Sequence, residues 1–406
     1  MKILVVHNHY LERGGEDEAV EAEVQMLRKY GHDVIFYERS NTEIKEKSLY
    51  RKIKFSFKDI RWSKKTYHEI RSLIQKEKPD LAHIHNTFLG ISPSVYDACY
   101  DENLAVVQTL HNYRFLCPNG VFYRDGHICE DCLREGMKAA VVHKCWRGSR
   151  LLSFLIAQVV RSIRKKSLLK HVNKFIALSQ FSRQKYIENG FVDEKIIVKP
   201  NFLDVDPCVS YGDGKYVLYV GSLREYKGVR TLLQAWKNVN ADVPLKMIGG
   251  GPLREEIQEN IANQNIEILG PKSFKETLEC LQGARFLVLP SECYETFGRV
   301  IVEAFACGVP VVVSDIGALA ELVSVGQTGF VFRPGDAKDL SHKINSLLED
   351  DALCQEMGRK ARQEFESKYT TEKNYDFLLK IYQEALKQGK NEESKDSQRQ
   401  KFSRYI

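Results

Sequence analysis

The sequence predicts an α/β protein built from two doubly wound parallel-sheet domains that face a central cleft. Three observations lead there. Short strands that are apolar throughout alternate with amphipathic helices, the pattern of parallel sheets covered on both faces. The alternation runs twice, restarting after residue 210 beyond the segment "PNFLDVDPCVSYGDG" (200–214). A chain of 406 residues is also too long for one ordinary core.

The elements follow in order. "KILVVHN" reads as the first strand, because its apolar run ends at His7 and is too short for a secretory leader. A Gly pair, Gly14 and Gly15, precedes the helical stretch "EAVEAEVQMLRKYG", and the strand "HDVIFYE" follows. "LAHIHN", "AVVQTLHN", "KFIALS" and "KIIVKPN" continue the first run; "YVLYVGSL", "LKMIGGG", "IEILG", "RFLVLPS", "PVVVSD" and "GFVFRPG" make the second. The expected domains are 1–203 and 206–370, with a helix at 371–387 returning to complete the first and a polar, disordered tail at 388–406. Sheets of this kind bind ligands at the carboxyl ends of their strands, so the cleft is the expected site. The most apolar stretch, "LLSFLIAQVV" (151–160), is far short of the roughly 20 residues that cross a bilayer.

Charge is unevenly spread. Residues 1–205 carry 34 Lys/Arg against 25 Asp/Glu, whereas the remainder carries 26 against 29. The basic half therefore suits an anionic partner. Ten cysteines without a leader suggest a reducing compartment.

Two carboxylates eight residues apart stand in "ECYETFGRVIVEAFACGVPVVVSD". On one helix they would lie about 12 Å apart along the axis, too far to share one ion or proton. Gly298 and Gly308 instead bound a helix, leaving Glu295 in the preceding loop and Glu303 on the second turn. The free N–H groups at that helix start would face an anion, and each carboxylate could accept sugar hydroxyls. The plain alternative is a surface helix with solvated acids. "VGSLREYKGV" leaves a strand at Gly221 and presents Arg224 and Lys227, cations suited to a departing diphosphate. Gly14 and Gly15 open a helix where backbone can approach a phosphate. "GGGP" (249–252), with Gly251, lacks the last glycine of a dinucleotide fingerprint but can line a nucleotide pocket. His111 ends one strand, and His85 with Asn86 ends another.

This ordered set resembles glycosyltransferase family 4, whose members are retaining enzymes of the GT-B fold with two facing Rossmann-like domains. The similarity runs through "HNHYLERGGEDEAVEAEV", "TLHNY", "ALSQFS", "VKPNFLD", "VGSLREYKGV", "GGGPLREEI" and the E-x7-E segment. It implies that Glu295 holds donor-sugar hydroxyls, that Glu303 holds the ribose, and that the Phe297–Gly298 backbone approaches sugar and β-phosphate. Lys227 matches the family's lysine before glycine. The family often has Arg at the position of Ser222, which leaves Arg224 as a possible substitute. The Gly pair would face the diphosphate, His111 would bond the sugar, and His85 and Asn86 would stand on the acceptor side.

The expected function is sugar transfer from a nucleotide sugar to a saccharide or lipid-linked acceptor in bacterial surface polysaccharide assembly, with no catalytic metal required. The alternatives are a nucleotide-sugar epimerase on the same frame and a decayed, membrane-docked binding protein. Asp204 and Asp206 form a D-x-D at the domain joint, where a linker is the better reading than a metal site. Cys117, Cys129, Cys132 and Cys145 form a C-x11-C-x2-C-x12-C array that could hold structural zinc, remain reduced, or pair as disulfides. Residues 50–78 and 146–174 combine cations with aromatic and aliphatic bodies, which suits an anionic membrane surface better than nucleic acid. A cytoplasmic protein, peripheral at the inner face of the membrane, is expected.

Overall fold

The computed structural model describes residues 1–11, 14–42, 60–164, 168–239, 242–261 and 265–403. The first sheet is parallel throughout, in the order β2-β1-β3-β4-β7-β8. Its strands are β1 (Lys2–His9), β2 (Asp33–Ser40), β3 (Leu81–Ile84), β4 (Ala105–Leu110), β7 (Lys174–Ala177) and β8 (Ile196–Val198). A short antiparallel hairpin, β5 (Tyr123–Arg124) with β6 (His127–Ile128), lies in the connection after β4.

The second sheet is also parallel, in the order β11-β10-β9-β12-β13-β14. It comprises β9 (Tyr216–Val220), β10 (Leu245–Ile248), β11 (Ile266–Gly270), β12 (Ala284–Leu289), β13 (Val311–Ser314) and β14 (Gly329–Phe332).

Strand alternation explains why the central runs of these strands are apolar on both faces. Leu4 and Val6 of β1 face one buried cluster while Ile3 and Val5 face another. In β12, Leu287 and Leu289 face one cluster and Phe286 and Val288 the opposite one. Both faces of each sheet are thus covered, and a polar strand residue such as His83 or Gln108 must find a buried partner.

In each sheet the chain reverses its direction of winding beside its first strand, between β1 and β3 and between β9 and β12. Crevices open at the carboxyl ends of strands at such reversals. The side chains that follow β1, β3, β4, β9 and β12 are therefore the ones placed for chemistry.

The helix Thr371–Ser403 leaves the second half of the chain and packs on the first sheet through Leu378, Ile381, Tyr382 and Ala385. It also runs on into residues expected to be a disordered tail. The correction has a simple cause: this segment is rich in Lys, Glu, Gln and Ser, lacks proline, and has one glycine, Gly389.

Candidate active site

The loops after β9 and β12 meet first. Gly228, at φ 67°, ends a 3₁₀ turn Glu225–Lys227, and a Cβ there would stand 1.7 Å from the Pro290 carbonyl oxygen. No other residue allows that approach. It brings Lys227 Nζ to 2.5 Å from Glu295 Oε1, which also accepts from Ser291 Oγ at 2.9 Å. Burial opposes the charge on Lys227, but the adjacent Glu295 carboxylate outweighs it and holds the ammonium pKa above its ordinary value. The cation and the carboxylate expected at different parts of a donor are therefore paired with one another.

The helix Arg299–Ala306 begins at Gly298 and ends before Gly308, as its glycines predict. Glu303 is buried on it, 3.4 Å from Arg299 Nε. Burial pushes the Glu303 carboxyl up to about 7 despite the opposing pull of Arg299. Arg299 also pairs with Glu18 of the first domain, and a Cβ on Gly15 would lie 4.0 Å from its Cδ. The Gly14–Gly15 pair thus faces the start of the Arg299 helix across the cleft.

That pair opens the helix Gly15–Lys29, yet its N-terminus is already served. Asp17 accepts the Gly14 N–H at 3.1 Å and is also 2.9 Å from His7 Nε2 and from His9 Nδ1. The expected phosphate cradle therefore holds a carboxylate of its own. Glu16 beside it is half-buried; desolvation of its carboxyl pushes that group up to about 7, and it accepts from Asn112 at 3.1 Å.

His111 follows β4 and lies against the Glu295 loop, where Thr296 Oγ1 donates to the His111 carbonyl at 2.6 Å. Tyr113 donates to the Glu295 carbonyl at 3.3 Å, and Ser179 to the Thr296 carbonyl at 2.9 Å. These contacts place His111, Glu295 and Lys227 around one junction between the domains. Burial, reinforced by His7, pushes the His111 imidazole down to about 3, so it is neutral.

Other expected residues stand elsewhere or act differently. His85 is buried behind His111, with its Nδ1 2.9 Å from His111 Nε2. Asn86 is committed to the fold: it donates to the Asn8 carbonyl at 2.7 Å and accepts from Phe88 N–H at 2.9 Å. Both line a cavity of about 30 Å³ with Glu16, His111, Asn112 and Arg114, room for water rather than for a sugar. Gly251 and Gly221 serve close backbone packing, since a Cβ on Gly251 would stand 2.4 Å from the Leu223 carbonyl oxygen and one on Gly221 2.9 Å from the Tyr219 hydroxyl. Phe297 is buried in the second core. Arg224 precedes the Glu225–Lys227 turn, two residues after Ser222, whose carbonyl accepts the Tyr219 hydroxyl at 2.9 Å. Asp206 pairs with Arg362 at 2.7 Å.

Cys117, Cys129, Cys132 and Cys145 gather around the β5–β6 hairpin as free thiols. Burial, with the neighbouring cysteines, pushes Cys132 up to about 12 and Cys145 up to about 11. Among the described residues, the sets with three ligand atoms within 4.8 Å of one another are His7–His9–Asp17 and Glu23–His83–His85, not the cysteines. The thiols are close but do not form a closed tetrahedral site.

In the basic half, the helix Arg150–Ile163 buries Ile156, Ala157, Val159, Val160 and Ile163 while Leu151 and Phe154 are exposed. Exposed Val142 adjoins them in sequence, as do the exposed Lys144, Arg147 and Arg150. Residues 50–59 and 165–167 of the two basic stretches lie outside the described residues. No helix among the described residues is long and apolar enough to cross a membrane.

Sequence reasoning missed Asp17, Glu23, Lys199 and Arg299. A signal did exist for the first of these, because Asp17 falls in phase with Val20, Val24 and Leu27 on the buried side of the Gly15–Lys29 helix.

Residues 206–364 match the family model "Glycosyl transferases group 1", and residues 13–207 match "Glycosyltransferase Family 4". An uncharacterised glycosyltransferase of Methanocaldococcus jannaschii is 33% identical over 215 residues, covering 52% of this chain and 60% of the other. The capsular polysaccharide biosynthesis glycosyltransferase CapM of Staphylococcus aureus is 28% identical over 207 residues, covering 50% and 54%. These matches span little more than half the length of either relative. The crystal structure of Anabaena HepE in complex with UDP has the same fold, with a TM-score of 0.65 at 17% identity over 94% of this chain and 99% of the other.

Proposed function

Because the chain belongs to glycosyltransferase family 4, and its two facing doubly wound domains are the GT-B architecture, we propose that it is a retaining glycosyltransferase. The donor is a nucleotide sugar and the acceptor a saccharide or lipid-linked saccharide of bacterial surface polysaccharide. The observation that carries the reading is the junction of Lys227, Glu295 and His111 at the carboxyl ends of β9, β12 and β4. Lys227 supplies positive charge where the leaving diphosphate gains negative charge, and the N–H groups opening the Arg299 helix face the same region. Arg224 is placed on the same loop to assist. Glu295 accepts sugar hydroxyls once Lys227 turns to phosphate, and Glu303 accepts ribose hydroxyls.

In this reading the acceptor hydroxyl attacks from the side that the diphosphate leaves. The C–O bond to phosphate breaks as the new C–O bond forms, and the departing phosphate oxygen takes the acceptor proton. The anomeric configuration is retained.

The CapM likeness supports a polysaccharide pathway, and the HepE–UDP likeness supports a nucleotide donor. The exposed Leu151 and Phe154 among cations support docking at the inner face of the cell membrane. Zinc belongs to the same proposal as a staple for the loop carrying the four cysteines, whose sulfurs would have to draw together around it. One equivalent of zinc in the purified protein, lost in Cys129→Ser, would support this; metal-free protein removes it.

Thermal-shift screening with UDP-, GDP- and ADP-sugars identifies the donor. Acceptor-dependent release of that nucleotide, with the α anomer formed from an α donor by NMR, is the expected result. Conversion of donor without any acceptor would instead favour an epimerase.

A further inference from the structure

A line of buried polar groups runs inward from His111, and its direction can be deduced from the far end. Glu23 is buried on the Gly15–Lys29 helix with Lys199 Nζ 3.0 Å from its Oε2. Burial works to protonate Glu23, but Lys199 and His83 outweigh it, so the group is a carboxylate. Its other oxygen lies 2.9 Å from His83 Nδ1 and 3.5 Å from His85 Nε2. His83 is otherwise occupied, bonding the Tyr382 hydroxyl through Nδ1 and the Thr109 hydroxyl through Nε2, each at 2.8 Å. Neither Glu23 Oε1 nor His85 Nε2 has a hydrogen-bond partner; Oε1 is the carboxylate oxygen facing His85 Nε2, at 3.5 Å, and lies closer to His83 Nδ1.

We propose that Glu23 and His85 are positioning residues: they fix His111 as the tautomer that carries its proton on Nε2 and presents a bare Nδ1 to a sugar hydroxyl. A carboxylate can only accept, and its charge 3.5 Å away favours the His85 tautomer that carries its single N–H on Nε2. Its Nδ1 is then a lone pair, and the 2.9 Å contact requires His111 to donate from Nε2. The proton of a neutral His111 is thereby spent inward, and Nδ1 is left as an acceptor. A hydroxyl can donate to it; a carboxylate at the same sugar carbon cannot. The other charged or titratable groups facing this line are His7, His83, Lys199 and Tyr382. This inference rests on the reading that His111 meets the donor sugar.

The test uses the full chain labelled with ¹⁵N-histidine and long-range ¹H–¹⁵N correlation spectra from pH 5 to 8, with His111 assigned through His111→Gln. The expected His111 pattern is the Nε2–H tautomer, unchanged across that range. Glu23→Gln can offer an N–H to His85, reversing the line and moving His111 to Nδ1–H. Lys199→Met combined with Glu23→Gln gives the same readout without an unpaired buried ammonium, should the single variant not fold. His85→Gln should lower kcat/KM for the donor about tenfold while leaving nucleoside diphosphate affinity unchanged.

An Nδ1–H or titrating His111 in the wild type, or an unaltered pattern in the Glu23 variants, overturns the proposal. If the tautomers are as stated but His111→Gln transfers sugar normally, the relay stands and the sugar contact falls.

Discussion

Glu295→Gln should tighten binding of the nucleoside diphosphate while slowing transfer. Lys227 and Glu295 are 25% and 20% exposed and their charged atoms lie 2.5 Å apart. Charges about 4 Å apart in a medium of effective dielectric constant ~20 attract by about 4 kcal/mol. Partial solvation and the ordering of two side chains reduce the net value to that of a charge-assisted hydrogen bond, about 1.5 to 3 kcal/mol. A diphosphate that recruits Lys227 must displace that contact. Glutamine keeps a carbonyl for Ser291 and Lys227 but removes the charge, so Lys227 is released at little cost to the loop. Titration calorimetry with UDP, or with whichever diphosphate the screen identifies, should show affinity about tenfold higher, near the lower bound of that range. Turnover should fall on the order of 100-fold, because a preorganised charge at the reacting sugar is gone. Lys227→Ala should weaken the same ligand, and adding Glu295→Gln to it should produce no gain. Unchanged or weaker affinity in Glu295→Gln alone would refute the idea that the pair competes with phosphate.

The raised pKa of Glu303 carries a sign. Between its ordinary 4.5 and about 7 the folded state holds a proton that the unfolded chain has released, so stability falls as pH rises through that window. The full penalty, at most about 3 kcal/mol, is present above pH 7. Glu303→Gln should therefore raise Tm by several degrees at pH 8 and hardly at pH 4.5, while weakening nucleotide binding; equal shifts at both pH values would contradict the burial argument. Leu151→Glu with Phe154→Glu should reduce cosedimentation with anionic vesicles at least tenfold, the two side chains being worth about 1.5 to 3 kcal/mol each when buried; unchanged binding would place the docking face elsewhere. Ending the chain at Thr370 removes four buried side chains from the first core and the partners of His83 and Lys199. That loss should approach the whole stability of a domain, about 5 to 15 kcal/mol; a soluble protein with an unchanged melting transition would refute it.

Much of the fold is legible because its strands are continuously apolar and its helix ends carry their own punctuation. Gly298 and Gly308 mark the limits of the Arg299–Ala306 helix, and the restart beyond residue 210 marks a second sheet. The types of residue at the junction are equally legible, since Lys227, Glu295 and His111 each follow a strand. Their mutual contacts are not. The Lys227–Glu295 pair depends on two loops 68 residues apart touching at Gly228 and Pro290, a tertiary event that neither loop encodes by itself. Asn86 shows the reverse error, for a polar residue at a strand end can be consumed by the fold that places it there.

The acids of the Gly15–Lys29 helix show what a carboxylate on the inward face of a helix requires. Asp17 and Glu23 would ordinarily face water, but β1 and β3 end in His7, His9, His83 and His85, and Lys199 follows β8. Each carboxylate turns inward because imidazoles and an ammonium are already there, and each would be costly to leave unpaired. The Thr371–Ser403 helix then closes the arrangement, giving Tyr382 to His83 at 2.8 Å and the Asn374 side-chain amide oxygen to Lys199 at 2.9 Å. Residues from both ends of the chain thus fix the polar line that terminates at His111. Local pattern builds the sheets, whereas this line exists only once the last helix has docked, so the surroundings of His111 depend on a segment far from it in sequence.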